Sequence, residues 1–136
     1  MKADESPSLF ISQKDGAVYV VLSNLGNQSI KVRRDYLLDR LFGNLLFDIR
    51  RKGKTFPETA HINPEMPTES TYLVLAPGQI GGHVVDQWLI KAAYSLSSGC
   101  YTVSAVYRDS MAKDFSAFDG ELRSNSIELC FKDANM

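Results

Sequence analysis

Hydrophobic and polar residues alternate over short runs along most of this chain. In one run Tyr101, Val103, Ala105 and Tyr107 share one side of an extended strand, and Thr102, Ser104 and Arg108 lie on the other. Turn signals such as Lys-Asp-Gly and Pro-Gly separate the runs at the short intervals typical of antiparallel β proteins. The strand-like runs are 9–12, 17–23, 29–32, 43–54, 71–79, 81–90, 97–109 and 125–131. The pattern predicts about seven or eight strands in an all-β sandwich or barrel.

Four segments depart from this pattern. Segment 33–43 repeats its leucines at helical spacing, so it predicts a short helix or an irregular crossover. A second helical turn is allowed over 87–96. The connection around 57–67 carries three prolines, which exclude a central strand there. The connection 108–124, between the last two strands, is the other long one, and long connections in compact domains are often functional.

Length and composition indicate one domain. The chain has 136 residues, of which 44% are hydrophobic and 23% are charged, as in ordinary globular proteins. Neither a repeat nor a low-complexity linker divides it. We therefore predict a polar tail over 1–8, a single β-sandwich domain over 9–132 and a short tail over 133–136.

Charge and hydropathy exclude two classes of partner. The net charge is -1, from 15 basic and 16 acidic residues, and this balance argues against nucleic-acid binding. The basic runs 31–34 and 50–54 look like solvated strand ends. No apolar run approaches the roughly 20 residues of a membrane span. The polar N-terminus resembles the beginning of a mature chain whose signal peptide has been removed, which leaves a location outside the cytoplasm open. Together with a disulfide between the two cysteines, it leads us to expect a periplasmic or secreted protein.

The two cysteines, Cys100 and Cys130, lie in the last two strands on the side that should face water. If those strands pair antiparallel with Tyr101 opposite Leu129, both apolar faces point inward and Cys100 lies opposite Cys130. Opposed residues have Cβ atoms about 4.5–5.5 Å apart, which is near enough for a disulfide after a modest adjustment. Two reduced thiols in a cytosolic protein are the alternative. No metal site is expected, because two cysteines without a nearby histidine do not complete a zinc shell.

No catalytic motif is present. His61 and His83 belong to no metal-ligand pattern, and the acidic residues form no pair placed for acid–base work. The glycine-rich run 77–83 reads as a tight turn plus a bulge that enters a strand. Trp88 and Tyr94 are typical of core or corner packing. We therefore expect neither an enzyme nor a cofactor, although one sequence leaves open a site assembled from distant loops.

Several motifs together resemble a known family. Tyr101, after the Gly-Cys that opens its strand, fits the corner tyrosine of immunoglobulin-like sandwiches. The Leu-x-Pro-Gly-Gln turn at 75–79, Ala-Ala-Tyr at 92–94 and Gly-x-Tyr-Thr-Val-x-Ala at 99–105 are similar to the N-terminal module of deuterolysin-type (aspzincin) metallopeptidases and their fungal peptidyl-Lys relatives. The strand–Asn-x-Gly–strand element at 20–32 extends the likeness to about 9–131.

The resemblance implies an immunoglobulin-like antiparallel β-sandwich that acts as a pro-domain-like module. In such enzymes this module assists folding and holds the peptidase inactive. The zinc-binding helix of the catalytic half has no counterpart in this sequence. We therefore expect a non-catalytic peptidase inhibitor or folding partner of a metallopeptidase, secreted or periplasmic, that acts through surface loops.

The expected protein-binding loop is 108–124, where Met111, Phe115 and Phe118 are apolar groups among polar residues. In the alternative interpretation of this loop, the two phenylalanines fold back over the sandwich end as a lid. The alternative function is a structural, adhesive or immunity-type sandwich protein that binds another protein through a sheet face or edge.

Overall fold

Nine strands and one α-helix form the described part of the molecule. The computed structural model describes residues 7–34, 44–59 and 67–132. The strands are β1 Pro7–Lys14, β2 Ala17–Asn24, β3 Ile30–Arg33, β4 Leu45–Arg51, β5 Lys54–Thr55, β6 Tyr72–Leu75, β7 Ile80–Asp86, β8 Gly99–Arg108 and β9 Glu121–Phe131. Helix α1 spans Gln87–Ala93, and short 3-10 helices span Glu69–Thr71 and Ala112–Phe115. The predicted all-β fold is confirmed. The helix expected within 33–43 lies mostly outside the described residues, as does His61.

All described strands pair antiparallel, in two sheets and a ribbon. The three-stranded sheet has the order β1-β2-β7, the four-stranded sheet has the order β5-β4-β8-β9, and β3 pairs with β6. The strands β1, β2 and β7 correspond to A, B and E of an immunoglobulin-like sandwich, and β4, β8 and β9 correspond to C, F and G. The core lies between the two sheets. It is built from inward residues that alternate along each strand, among them Ile11, Val18, Val20, Leu22, Leu45, Phe47, Ile49, Val103, Tyr107 and Leu129.

Tyr101 is the corner tyrosine that its position predicts. Its hydroxyl donates to the carbonyl oxygen of Ser97 at 3.0 Å and accepts from the Ser97 N–H at 3.1 Å. Its buried ring lies edge-on to Phe56, with the guanidinium carbon of Arg51 4.4 Å from the ring centre. The tyrosine therefore fixes the corner that leads into β8 and closes that end of the core.

The predicted strand 81–90 is wrong in its second half. Strand β7 ends at Asp86, whose side chain accepts from the Trp88 N–H at 2.8 Å and caps helix α1. The helical turn expected near 87–96 is present instead. Tyr94 packs in the core as expected, and its hydroxyl accepts from the Phe47 N–H at 2.8 Å. Trp88, in contrast, is half exposed.

The predicted disulfide and its register are confirmed. Tyr101 pairs with Leu129 and Cys100 pairs with Cys130, and the two sulfurs are bonded. Both cysteines lie on the exposed outer face of the four-stranded sheet. Closing a loop with a sequence separation of 30 stabilises the fold by about 3–4 kcal/mol in the chain-entropy account.

A β-bulge lies in β9 rather than in β7. The register between β2 and β7 runs without a shift, so the bulge expected at 77–83 is wrong, although Gly78 with a φ of 84° does form the tight turn. In β9, Ser124 and Asn125 together oppose Ala105. The Ser124 hydroxyl accepts from the Ala105 N–H at 2.7 Å and holds the bulge. Bulges re-aim side chains, and this one directs Asn125 toward β1.

Asn125 joins the two sheets along one seam. Its side-chain oxygen accepts from the Ile11 N–H at 2.8 Å, and its amide nitrogen donates to the Ile11 carbonyl at 3.0 Å. Farther along the seam, the Gln13 amide donates to the Glu128 carbonyl oxygen. The Asn125 side chain thus pairs with β1 as a neighbouring strand would, and it covers the edge of β1 that faces away from β2.

Candidate protein-binding surface

The outer face of the three-stranded sheet carries large exposed apolar side chains. Phe10 is 53% exposed, Tyr19 39%, Ile80 66% and Val84 50%, and Val21 is half-buried among them. These five residues, called the apolar face below, come from all three strands. Registers place Phe10 beside Val21 and Tyr19 beside Val84. Scattered surface hydrophobics are ordinary, but a contiguous patch marks an interaction site.

Glycines give the apolar face its shape. Gly81 and Gly82 leave β7 without side chains at its centre, and a groove of about 370 Å³ lies between Ile80, Val84 and Tyr19. A Cβ at Gly82 would collide with the carbonyl oxygen of Val20. Glycine there allows close approach of the β7 backbone to β2 and leaves the outer side open.

Polar residues surround the apolar face at both ends of the sheet. Ser8 and Ser23 pair across β1 and β2 at one end, with Ser23 also opposite Ile80. Ser12, which pairs with Tyr19, and Asp86 at the end of β7 lie at the other. An apolar centre with a polar rim is the usual anatomy of a protein–protein contact.

The outer face of the four-stranded sheet has the opposite chemistry. Asp48 accepts from Arg50 at 3.0 and 3.1 Å and from Arg123 at 2.8 Å. The hydrogen bonds from the two arginines, led by Arg50, hold the pKa of the Asp48 carboxyl below its usual value, against the raising effect of burial. Thr102 and Ser104 line a groove on this face together with these three charged residues. This face is polar and charged, so the apolar character of the other outer face is not a general property of the molecule.

The loop 109–120 has its phenylalanines folded back. The ring of Phe115 stacks on Tyr72 with centroids 4.9 Å apart, and that of Phe118 lies 6.5 Å from Tyr107. Met111 and both rings are only partly exposed. The arrangement agrees with the lid alternative. A contact between this loop and another protein stays a prediction.

A buried polar network holds the base of this loop. The Arg33 guanidinium lies 3.4 Å from the Asp109 carboxylate, and both side chains are at most 1% exposed. The Tyr72 hydroxyl donates to Asp109 at 2.6 Å, and the Met111 N–H donates to it at 3.0 Å. Nearby, the Tyr107 hydroxyl accepts from the Arg33 N–H at 3.1 Å. The network ties β3, β6 and the loop together, and its burial indicates a structural role.

Burial also perturbs the tyrosines of this region. Burial raises the pKa of Tyr72 far above its usual range, and the hydrogen bond to Asp109 adds to the effect. Burial, partly opposed by the hydrogen bond from the Arg33 N–H, raises the pKa of Tyr107 to about 12. Both phenols therefore stay protonated at physiological pH and serve as hydrogen-bonding groups.

The potential metal ligands form one group in the described ranges. Cys100, Glu128 and Cys130 lie together on the exposed face, but the two sulfurs are joined in the disulfide and cannot act as thiolates. His83 lies exposed on β7, as expected of a strand residue.

Comparison with known proteins leaves the family open. No known family model matches the chain, and no curated protein matches its sequence. The similarity to the deuterolysin-type module therefore rests on the sequence motifs. No helix in residues 7–34, 44–59 and 67–132 has the length and apolarity to cross a bilayer.

The apolar face was not identified from the sequence, although a signal was present. In β2, Val18, Val20 and Leu22 face the core, yet Tyr19 and Val21 between them are also apolar. A strand with one face in the core and one face exposed to solvent should alternate between apolar and polar residues. Apolar residues on both sides of a strand indicate that its second face is covered by something.

Proposed function

We propose that this protein is a non-catalytic binding module that contacts another protein through the apolar face. The observation that carries the proposal is the clustering of Phe10, Tyr19, Val21, Ile80 and Val84 on one sheet face. Burying this area would stabilise a complex by roughly 25 cal/mol for each Å² of apolar surface removed from water. The rigid sheet loses little conformational entropy on binding, which favours association.

The exposure of the apolar side chains favours binding through the apolar face over binding through the 109–120 loop. Phe115 and Phe118 already pack on Tyr72 and Tyr107, so a partner would gain little apolar area from them. The side chains of Phe10 and Ile80 are more than half exposed and have that area to contribute.

The proposed partner is a metallopeptidase, and the protein would act as its inhibitor or folding partner in a periplasmic or secreted location. Two features support this part. The motifs at 75–79, 92–94 and 99–105 are similar to those of the deuterolysin-type module. The Cys100–Cys130 disulfide is typical of proteins from oxidising compartments.

The test is a binding and inhibition titration against a purified deuterolysin-type metallopeptidase, repeated with surface variants. Phe10→Lys should weaken the interaction by at least about tenfold, because a charge would be buried within the contact. Thr102→Lys is the matched control, since it adds the same charge to the exposed outer face of the other sheet. It should leave binding unchanged.

Two results would overturn parts of the proposal. Equal binding by Phe10→Lys and the wild-type protein would exclude the apolar face as the contact. No binding to any metallopeptidase, with variant-sensitive binding to a different secreted protein, would exclude the peptidase partner and keep the surface.

The loop has its own test. Phe115→Ala and Phe118→Ala each remove a ring that packs on a buried tyrosine, so both should lower stability. Inhibition by the folded variants should stay at the wild-type level. Lost inhibition with full stability would instead identify the 109–120 loop as the contact.

A further inference from the structure

The sheet edges of this molecule are protected unequally. Unpaired backbone groups at an edge strand attract other strands, and proteins usually block them. On the three-stranded sheet, Asn125 of β9 covers the edge of β1, and the Gln13 side chain of β1 donates to the Glu128 carbonyl of β9. On the four-stranded sheet, the outermost strand β5 has only two residues, and lysines occupy its turn and its first position.

In residues 7–34, 44–59 and 67–132, none of these protections is seen at strand β7. Within the described residues it pairs only with β2, so one side of its backbone faces no other described strand. Its seven residues, Ile-Gly-Gly-His-Val-Val-Asp, contain no lysine, arginine or proline, and the register to β2 shows no bulge. It is the longest edge in the described structure without a blocking feature.

We propose that β7 pairs antiparallel with β7 of a second copy of this chain, about a two-fold axis at Gly82. An antiparallel edge contact is self-complementary, so the same strand can serve both subunits of a symmetric dimer. The dimer would join two three-stranded sheets into one sheet of six strands. This inference goes beyond the proposed function and does not depend on it.

The side chains of β7 select this register. Positions 80, 82 and 84 lie on the outer face of the sheet. A register shifted by one residue would place them opposite inward-facing positions of the second copy. With the axis at Gly82, Ile80 of each copy lies opposite Val84 of the other, and glycine lies opposite glycine. An axis at His83 would place Ile80 opposite Asp86 and the two histidines opposite each other. The Gly82 register therefore matches apolar with apolar on the outer face.

Glycine at the axis also favours close approach. Gly81 and Gly82 present no side chains where the two backbones would meet, and strand glycines often mark such contacts. Ile80 and Val84, which are 66% and 50% exposed, would each gain a cross-strand neighbour. Phe10 and Val21 lie farther from the edge and would remain available, so the dimer would present two copies of the apolar face in one sheet.

The experiment measures the oligomeric state of the whole chain by sedimentation over a range of concentrations. The wild-type protein should show a concentration-dependent dimer. Ile80→Lys and Val84→Glu should each raise its dissociation constant by at least about tenfold, because each sets a charge against an apolar residue. Val74→Lys, at an exposed residue of β6, is the matched control and should leave the dimer unchanged.

The double variant tests the register itself. In the Gly82 register, Ile80→Lys together with Val84→Glu creates two lysine–glutamate pairs across the axis, so the double variant should recover dimerisation. The two substituted positions within one chain are four residues apart along a strand, too far for an internal pair. Recovery would therefore report the intermolecular contact.

Two outcomes would overturn the inference. A wild-type protein that is monomeric at all concentrations would exclude the dimer and would leave the Phe10→Lys test of the proposed function untouched. A dimer that persists in both single variants would exclude β7 as its interface. Hydrogen exchange of the wild-type protein gives a check without substitutions, since the backbone amides of β7 should become more protected as concentration rises.

Discussion

At the scale of single residues, Arg33 and Asp109 form a buried ion pair that holds the base of a loop. They are 76 positions apart in sequence, fully buried, and joined across the base of the 109–120 loop. Removing one partner of a buried ion pair leaves the other charge desolvated and uncompensated. The pair therefore makes the loop position dependent on one carboxylate.

We predict that Asp109→Asn lowers the free energy of unfolding by about 3–5 kcal/mol. Asparagine keeps the shape and an oxygen that can accept from Tyr72. Its amide nitrogen then faces the Arg33 guanidinium and the Met111 N–H, so the variant removes the charge together with those two hydrogen bonds. The measurement is chemical denaturation at neutral pH. Asp119→Asn is the matched control, because Asp119 pairs with Lys113 at 3.6 Å on the exposed surface of the same loop. Its cost should stay below about 1 kcal/mol, and equal costs for the two variants would contradict the prediction.

This pair also shows which residue contacts could be predicted from sequence. The opposition of Cys100 and Cys130 followed from alternation alone, because one strand register buries both apolar faces. No comparable rule links Arg33 with Asp109. Each ends or follows a strand, where periodicity no longer restricts the side chain, and a charged residue is expected to be exposed. The contact depends on how β3 and the loop meet, which is a tertiary property.

At the scale of elements, the bulge in β9 decides how the sandwich closes along one seam. The bulge turns Asn125 toward β1, and the Asn125 amide then satisfies both the N–H and the carbonyl of Ile11, which is fully buried. A continuous β9 would have placed the next side chain by simple alternation, without this bridge.

We predict that Asn125→Ala costs about 1–3 kcal/mol of stability, because two backbone groups of Ile11 lose their partner. Asn125→Asp should fall between the alanine variant and the wild-type protein, since it can still accept from the Ile11 N–H but cannot donate to the carbonyl. Denaturation midpoints give the comparison. Ser126→Ala, the next residue on β9, should change stability by less than about 0.5 kcal/mol. A neutral Asn125→Ala would show that the seam does not depend on this side chain.

The boundary of β7 shows why element limits were partly mispredicted. The run 81–90 is apolar at many positions, which fits either a buried strand or a short helix. Asp86 resolves the ambiguity because its side chain caps the Trp88 N–H and starts α1. Bulge and cap are both single-residue devices inside otherwise regular runs, so periodicity alone places the strands and misses the positions at which they bend or end.

At the scale of the whole molecule, the fold could be predicted more completely than the candidate surface. Alternation and turn spacing are properties of the chain itself, so they identified the sandwich, the last hairpin and the corner at Tyr101. The apolar face exists only because β1, β2 and β7 become neighbours, although β7 lies more than 50 residues beyond β2. Phe10 and Val84 belong to one surface only after that pairing is known.

The buried tyrosines link the packing of the whole molecule to pH. Tyr72, Tyr94 and Tyr107 are all buried, and burial raises the pKa of each above the ordinary value of 10.0, that of Tyr107 to about 12. Because the folded state holds the protonated phenols more strongly, their contribution to stability is fully present below pH 10. It is lost as pH rises through the folded-state values.

We therefore predict that the protein unfolds cooperatively in alkali and that these three phenols ionise in the same step. Phenolate absorbance and far-ultraviolet circular dichroism should change together above pH 10, toward about pH 12. In Tyr94→Phe, the number of phenolates formed in the cooperative step should fall by one, because one buried phenol has been removed. The Phe47 N–H also loses its hydrogen-bond partner in this variant. A gradual ionisation of all tyrosines with the β-structure intact would show that Tyr72, Tyr94 and Tyr107 reach solvent without unfolding. That result would contradict the conclusion that the folded core excludes solvent from these three phenols.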